Sequence, residues 1–318
     1  MEIHKNPVMQ NPVMQMTQEE RLSLMIRYGI TDEKKTEHDI KEIREWLTTQ
    51  NHLLEASKHM NDVIIKRMYA MAKGSIEDTK TNIDRYCSAR GLLPELTLNK
   101  RIEDFEHFCQ KVQYITLPKL HAKDLSRITV IRYLTPDLSD VSFLVYMRYT
   151  NLVEDYKQNF ECNLGLTVIV DYKNLPLSFL LKISPMLLKR AENMFTKAYG
   201  YDVKAIHMVN VPNFIDKVLS LVRCSLSKEM ASVIHIHHSY EELQMHFAKD
   251  VLPREFGGEG PSCDDIAENW KQALQSKDGR EIIANSEKLI TDETKRPPRN
   301  FTRRFFGYLG SLRPFSTD

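Results

Sequence analysis

Apolar positions recur at helical spacing through the first third of the chain. Leu22, Met25 and Ile26 share one face, the i, i+3, i+4 pattern of an amphipathic helix. "TQEE" just before them is a capping box, with Thr17 at the N-cap and Glu20 three residues inside. The period returns over about 36–48 through Ile40, Ile43, Trp46 and Leu47, and again over 61–72, 75–89 and 98–111. Residues 17–111 are therefore predicted to form an all-helical module. The direct repeat "NPVMQ NPVMQ" at 6–15 carries two prolines and no face to bury, so residues 1–16 are expected to be a disordered extension.

Beyond Lys111 the texture changes to short β-rich runs: "YITLPKL" (114–120), "ITVIRYL" (128–134), "GLTVIVDY" (165–172), "KAIHMVNV" (204–211) and "SVIHIH" (232–237). Helical patterns separate most of them, which predicts an α/β fold with a mainly parallel sheet covered by helices. Three helical faces stand out. One is Phe143, Tyr146, Met147 and Thr150; a second, within 177–198, is Leu180, Ile183, Leu187, Ala191, Met194 and Phe195; a third is Ile215, Val218, Leu219, Val222 and Leu226. The strand between the first two, with Leu166 and Val168, is apolar on both faces, as a strand covered on both sides is. Periodicity alone predicts that these faces form a closed core. A further helix is predicted at 263–276, capped near Ser262 or Cys263, and 277–318 is expected to be a basic, aromatic tail.

Composition narrows the function. Lys plus Arg number 44 against 43 Asp plus Glu in 318 residues, so no global field points to nucleic acid. The N-terminus has no secretory pattern and the apolar runs are far shorter than a bilayer span, which predicts a cytoplasmic protein. Five cysteines without a CxxC pair indicate neither a disulfide framework nor a zinc knuckle. No GxGxxG, P-loop, GxSxG or HExxH occurs, so nothing nominates a nucleotide site, a nucleophile or a cofactor, and no enzyme is expected.

The histidines of "VIHIHHSY" are the remaining candidates for chemistry. On a strand, His235 and His237 project from one face and His238 from the other. Two imidazoles need a third ligand from elsewhere, with His207 and His246 as candidates. The expectation is hydrogen-bonded structural histidines and no metal, because imidazole is commonly half-buried and satisfied by neighbours.

Three segments resemble the CRAL-TRIO (Sec14-like) lipid-binding family, in the branch of the tocopherol transfer protein and the cellular retinaldehyde-binding protein. They are "GLTVIVDYKNLPLSFLLKISPMLLKRAENMF", "VKAIHMVNVPNFIDKVLSLVRCSLSKEMASVIHIHH" and "YEELQMHFAKDVLPREFGGEG". The second combines an IH-x-x-N-x-P strand exit, a helix and a terminal IH-x-H strand; the third resembles the closing LP-x-E-[YF]-GG. "DVIIKRMYAMAKGSIEDTKTNIDRYCSAR" is similar to the family's helical N-terminal signature.

The resemblance implies a lipid-binding domain over 112–276 that holds one hydrophobic molecule, such as a retinoid, tocopherol, carotenoid or other isoprenoid, and transfers it. It implies lining positions at Phe143, Tyr146, Met147, Thr150, Leu166, Val168, Ile183, Leu187, Ala191, Met194, Phe195 and Tyr199, with Tyr146 and Thr150 as the polar contacts. It places a gate helix at 212–226, putting Ile215, Val218, Leu219, Val222 and Leu226 over the mouth. A monomer that visits membranes transiently is expected, with no cofactor beyond its ligand. The family's basic cluster is mostly missing, with Lys73, Asp202, Glu229 and Val233 at the matching positions. Tail residues Arg303, Arg304, Phe305 and Phe306 are the expected membrane contact in its place. The alternative is a non-catalytic adaptor that binds a protein or a membrane through the N-terminal helices or the tail.

Overall fold

The computed structural model describes residues 11, 13–160, 163, 165–180, 185–211 and 226–297. Helices α1 (Gln18–Tyr28), α2 (Glu33–Thr49), α3 (Leu54–His59), α4 (Asp62–Met71), α5 (Ile76–Leu92), α6 (Pro94–Thr97) and α7 (Ile102–Cys109) come first. The capping box that opens α1 is formed: Glu20 N–H donates to Thr17 Oγ1 at 3.1 Å, and Thr17 N–H donates to Glu20 Oε2 at 2.7 Å. Two of the four orphan donors of the helix start are thereby satisfied.

The five predicted strands form one sheet in the order β1 (Val112–Leu120), β2 (Arg127–Tyr133), β3 (Gly165–Asp171), β4 (Asp202–Val209), β5 (Ile234–His237). β1 runs antiparallel to β2, and the other neighbours are parallel. Residues 121–126 are too few to carry a crossover, so β2 must fold back on β1; the later strands are separated by long segments that return the chain to the same end. β2 and β3 are linked by α8 (Phe143–Lys157); β3 and β4 are linked by α9 (Leu177–Leu180) and α10 (Pro185–Asn193), which runs on into a π-helical turn, Met194–Ala198.

The motif residues tie the strand ends together. Asp171, at the end of β3, accepts from Asn210 Nδ2 at 2.8 Å and from Tyr240 Oη at 3.0 Å. The closing "LPREFGGEG" turn is equally specific, because a Cβ at Gly258 would stand 2.0 Å from the Leu252 carbonyl oxygen. Only glycine permits that approach.

Two expectations are corrected. Residues 13–16 do not form a loose extension: Val13, Met14 and Met16 are buried. Gln15 N–H donates to Pro118 O at 2.8 Å, and Arg127 donates to Gln15 O at 3.1 Å. The irregular end of the edge strand β1 leaves a carbonyl there for the repeat's second copy to use. The region from 277 is also not all tail. A helix spans Lys277–Ser286, Ile283 and Leu289 are buried, and the chain is held as far as Arg296, whose guanidinium donates twice to Asp84 at 2.8 Å. Ser276 caps that helix, and a Cβ at Gly279 would come within 2.2 Å of Ala273 O, so this glycine allows the two helices to abut. Residues 298–318 lie outside the described residues. The turn after β3 is made without a positive φ at Asn174. Asn174 instead donates its amide to Tyr133 O at 3.0 Å.

The boundary predicted between 111 and 112 is no linker. Phe105 and Phe108 of α7 each pack on Tyr149 of α8 with ring centroids 5.5 Å apart, and one hydrophobic core runs through both parts. The strongest tie is polar. Asp155 of α8, 1% exposed, pairs with Arg90 of α5 and lies 3.2 Å from Lys100 Nζ, while Tyr199 Oη donates to it at 2.8 Å. Burial disfavours its charge, but the Arg90 and Lys100 cations outweigh that and hold its pKa below the usual value. The adjacent residue, Glu154, accepts from Tyr114 Oη at 2.7 Å and Tyr201 Oη at 2.6 Å, with Lys157 Nζ at 3.0 Å.

Two outcomes are expected. Asp155→Ala strands two buried cations and should cost about 3–5 kcal/mol in urea denaturation. Asp84 is pushed down to about 2: burial opposes its ionisation, but hydrogen bonds from His52 and Arg296 overcome it. Its contribution is complete above the unfolded value of 3.8 and is lost as pH falls through about 2. Asp84→Asn should therefore flatten the stability-versus-pH curve in that window.

Candidate ligand-binding site

The first two turns of α8 lie over the sheet, started by Ser142, whose Oγ accepts from Val145 N–H at 3.2 Å. Phe143, Tyr146, Met147 and Thr150 from α8 line one wall of a cavity of about 250 Å³. Its floor is Leu166, Val168 and Val170, alternate residues of β3, beside Val203 and Ile206 of β4. The opposite wall is Leu188, Ala191, Glu192 and Phe195 of α10 and the π-helical turn, with Leu226 and Met230 nearby. Helical faces that periodicity assigned to a closed core thus stand apart around a hollow.

Most expected lining residues are brought together here: Phe143, Tyr146, Met147, Thr150, Leu166, Val168, Ala191 and Phe195, with Leu226 from the expected gate. Three are not. Leu187 gives way to Leu188, Met194 is in the closed core, and Tyr199 is fully buried with its hydroxyl on Asp155. The face is therefore 188, 191, 192 and 195, itself an i, i+3, i+4, i+7 set, turned by one residue from the purely apolar set. One cause is visible: the chain runs from α10 into a π-turn, Met194–Ala198. Glu192 occupies a lining position, so counting apolar residues alone misplaces the face. Ile183, Ile215, Val218, Leu219 and Val222, and the tail residues Arg303, Arg304, Phe305 and Phe306, lie outside the described residues.

Polar groups at the cavity are nearly all engaged. Tyr114 donates to Glu154, and Thr150 Oγ1 donates to Met147 O at 2.9 Å, leaving Thr150 only as an acceptor. Glu192 pairs with Lys189 at 2.7 Å and accepts from Ser227 N–H at 3.3 Å. Tyr146 differs: its hydroxyl makes no hydrogen bond among the described residues, and burial raises its pKa, so it stays a neutral donor. Larger hollows exist, including one of about 780 Å³, but its lining mixes Gln15, Glu20, Lys119 and Asp250 with apolar side chains, whereas the lining of the cavity beside α8 is almost wholly apolar.

The histidines fall on the other side of the sheet. Val168 pairs with Ile206, which faces the cavity, and the next residue, His207, faces away. His207, His235 and His237 share that far face, and His207 Nδ1 lies 2.8 Å from His237 Nε2. Among the described residues, burial pushes the Cys87 thiol up to about 12 and the Cys109 thiol up to about 11.

The family model for the CRAL/TRIO domain matches residues 113–258, and a model described as a Pinta-like, UBA domain matches residues 32–107. The chain is similar to an alpha-tocopherol transfer protein-like protein of Mus musculus, 23% identical over 131 residues, which are 41% of this chain and 37% of that one. It is also similar to clavesin-1 of Xenopus laevis, 25% identical over 140 residues, 44% of this chain and 41% of that one. The matched stretch spans about two fifths of the length of these relatives. A solved structure, that of Sfh5, overlaps 80% of this chain and 92% of its own with a TM-score of 0.43 and 13% identity.

Removing the Tyr146 hydroxyl should leave stability unchanged within about 0.5 kcal/mol, since it has no described partner to lose. Tyr114→Phe, which deprives the buried Glu154 of a donor, should cost about 1.5–3 kcal/mol. Thermal or urea denaturation of the two variants side by side checks the contrast.

Proposed function

We propose that this chain, whose residues 113–258 match the CRAL/TRIO domain model, binds one hydrophobic small molecule in the cavity between α8, α10 and the sheet and transfers it between membranes. The observation that carries the reading is the wall itself: apolar side chains from three elements surround about 250 Å³, more than the roughly 150 Å³ apolar cavity that suffices to hold benzene in an engineered core. Covering roughly 500 Å² of an isoprenoid-sized ligand at about 25 cal/mol per Å² supplies on the order of 12 kcal/mol gross, before ordering costs. No charge pair is needed for tight binding, and no cofactor enters. Tyr146, the lining donor without a described partner, is suited to an oxygen atom on the ligand. Release follows when segment 212–226 opens the mouth onto a membrane whose lipid replaces the lost contacts. A tocopherol or retinoid suits this description, as do other isoprenoids.

A second reading keeps the fold as a scaffold and assigns binding of a protein partner to the N-terminal helices. It is supported by the match of residues 32–107 to a Pinta-like, UBA domain. Among the described residues no helix is long and apolar enough to cross a membrane, and either role is played from outside the bilayer core.

Native mass spectrometry of the purified protein, before and after exposure to a retinoid and to a tocopherol, should show one hydrophobic molecule per chain. Ala191→Trp, which fills the cavity from its wall, should lower that occupancy at least about 10-fold while the far-UV spectrum is kept. A folded protein that takes up neither compound and carries no lipid would sink the carrier reading in favour of the scaffold.

A further inference from the structure

Three imidazoles from three segments converge on the far face of the sheet. His207 of β4 and His237 of β5 are 5% and 4% exposed, and the exposed His246 comes from the turn after the helix Tyr240–Gln244. One ring nitrogen from each lies within 4.8 Å of the others, the ring centroids of His246 standing 5.0 Å from both partners. From these positions we infer that His207, His237 and His246 form a three-histidine site for a divalent transition-metal ion, with zinc as the best-fitting class.

The spacing suits that ion. At a Zn–N distance of about 2.0–2.1 Å, two nitrogens on one tetrahedral centre stand roughly 3.4 Å apart. His207 Nδ1 and His237 Nε2 stand 2.8 Å apart and the three ligand nitrogens lie within 4.8 Å of one another, so changes of up to about 1.4 Å in a separation close the set. The two strand ligands are held by the β4–β5 ladder. The third is positioned through its backbone: His121 Nε2 lies 3.0 Å from His246 O, and His121 Nδ1 lies 3.0 Å from Asp124 Oδ1. Three protein nitrogens with the outermost exposed leave a fourth position open to water, the pattern of an open zinc site. Imidazole sets also take copper and nickel, whereas magnesium and calcium prefer oxygen.

The protonation state agrees. Burial first, then the neighbouring imidazoles, depress all three, His207 to about 3, so each is neutral near pH 7. Neutral imidazole is the ligating form, and the proton shared between His207 Nδ1 and His237 Nε2 moves to the other nitrogen of the donor's ring as both bind. Bound metal would join β4, the four-residue edge strand β5 and the segment after it, closing a sheet edge that is otherwise short of partners. Because the floor of the cavity lies on the opposite face, metal and hydrophobic ligand would be held independently.

The test uses the full chain after chelator treatment. Calorimetric titration with Zn²⁺ alone should give one ion per chain, and Co²⁺ should give the visible absorption of a low-symmetry nitrogen-ligated site. His246→Ala, exposed and free of any role in the core, should weaken Zn²⁺ binding at least about 10-fold. His238→Ala, at the exposed residue that follows β5, should leave it unchanged. Absence of stoichiometric Zn²⁺ binding, or equal binding by His246→Ala and the parent, would overturn the proposal.

Discussion

Two adjacent carboxylates on one helix set the geometry of the protein. Glu154 and Asp155 are buried at the end of α8 and meet Lys157, Arg90 and Lys100 together with the hydroxyls of Tyr114, Tyr199 and Tyr201. A buried ion pair contributes little net stability compared with well-packed apolar side chains, but breaking it strands a charge. The cluster therefore penalises every arrangement in which α8 rotates or slides. α8 is joined to the N-terminal helices by Arg90 and Lys100 and to the sheet by Tyr114, and both parts share one reference.

The consequence reaches the cavity through the helix itself. Phe143, Tyr146, Met147 and Thr150 continue at i+4 steps into Asn151, Glu154, Asp155 and Gln158, all of them buried. A single stripe is apolar where it faces the hollow and polar where it faces the helical module. Fixing the polar half holds the apolar half off the sheet, since a rigid helix transmits its orientation along its length. A fully apolar stripe would be free to settle onto β3 and close the space, which is how dense cores normally form.

The sheet separates two chemistries by strand alternation. Ile206 and His207 are neighbours in sequence but lie on opposite faces of β4, one toward the apolar cavity and the other toward three more imidazoles. Parallel pairing in register puts His207 beside His235 and Val209 beside His237, so a histidine on one strand finds histidines on the next. A one-residue slip of β5 would turn these rings to the cavity face, and the apolar pattern of the neighbouring residues opposes that slip.

Local pattern was enough for the elements: the capping box of α1, the five strands, the helices of the first third and most of the lining residues follow from periodicity and from short motifs, because these depend on neighbours a few residues apart. The same signal misplaced Leu187 and Met194, and the family resemblance misplaced Tyr199, since a π-turn shifts phase in a way no apolar count records. It also passed over Glu154 and Asp155, although their place on the Met147–Thr150 stripe marks them as buried. What tertiary structure alone decided was whether facing stripes meet or stand apart, where residues 13–16 and 277–297 dock, and which histidines converge. Those outcomes depend on contacts between segments tens to more than a hundred residues apart, such as Arg90 with Asp155 and His121 with His246, and no local pattern encodes a distance across the chain.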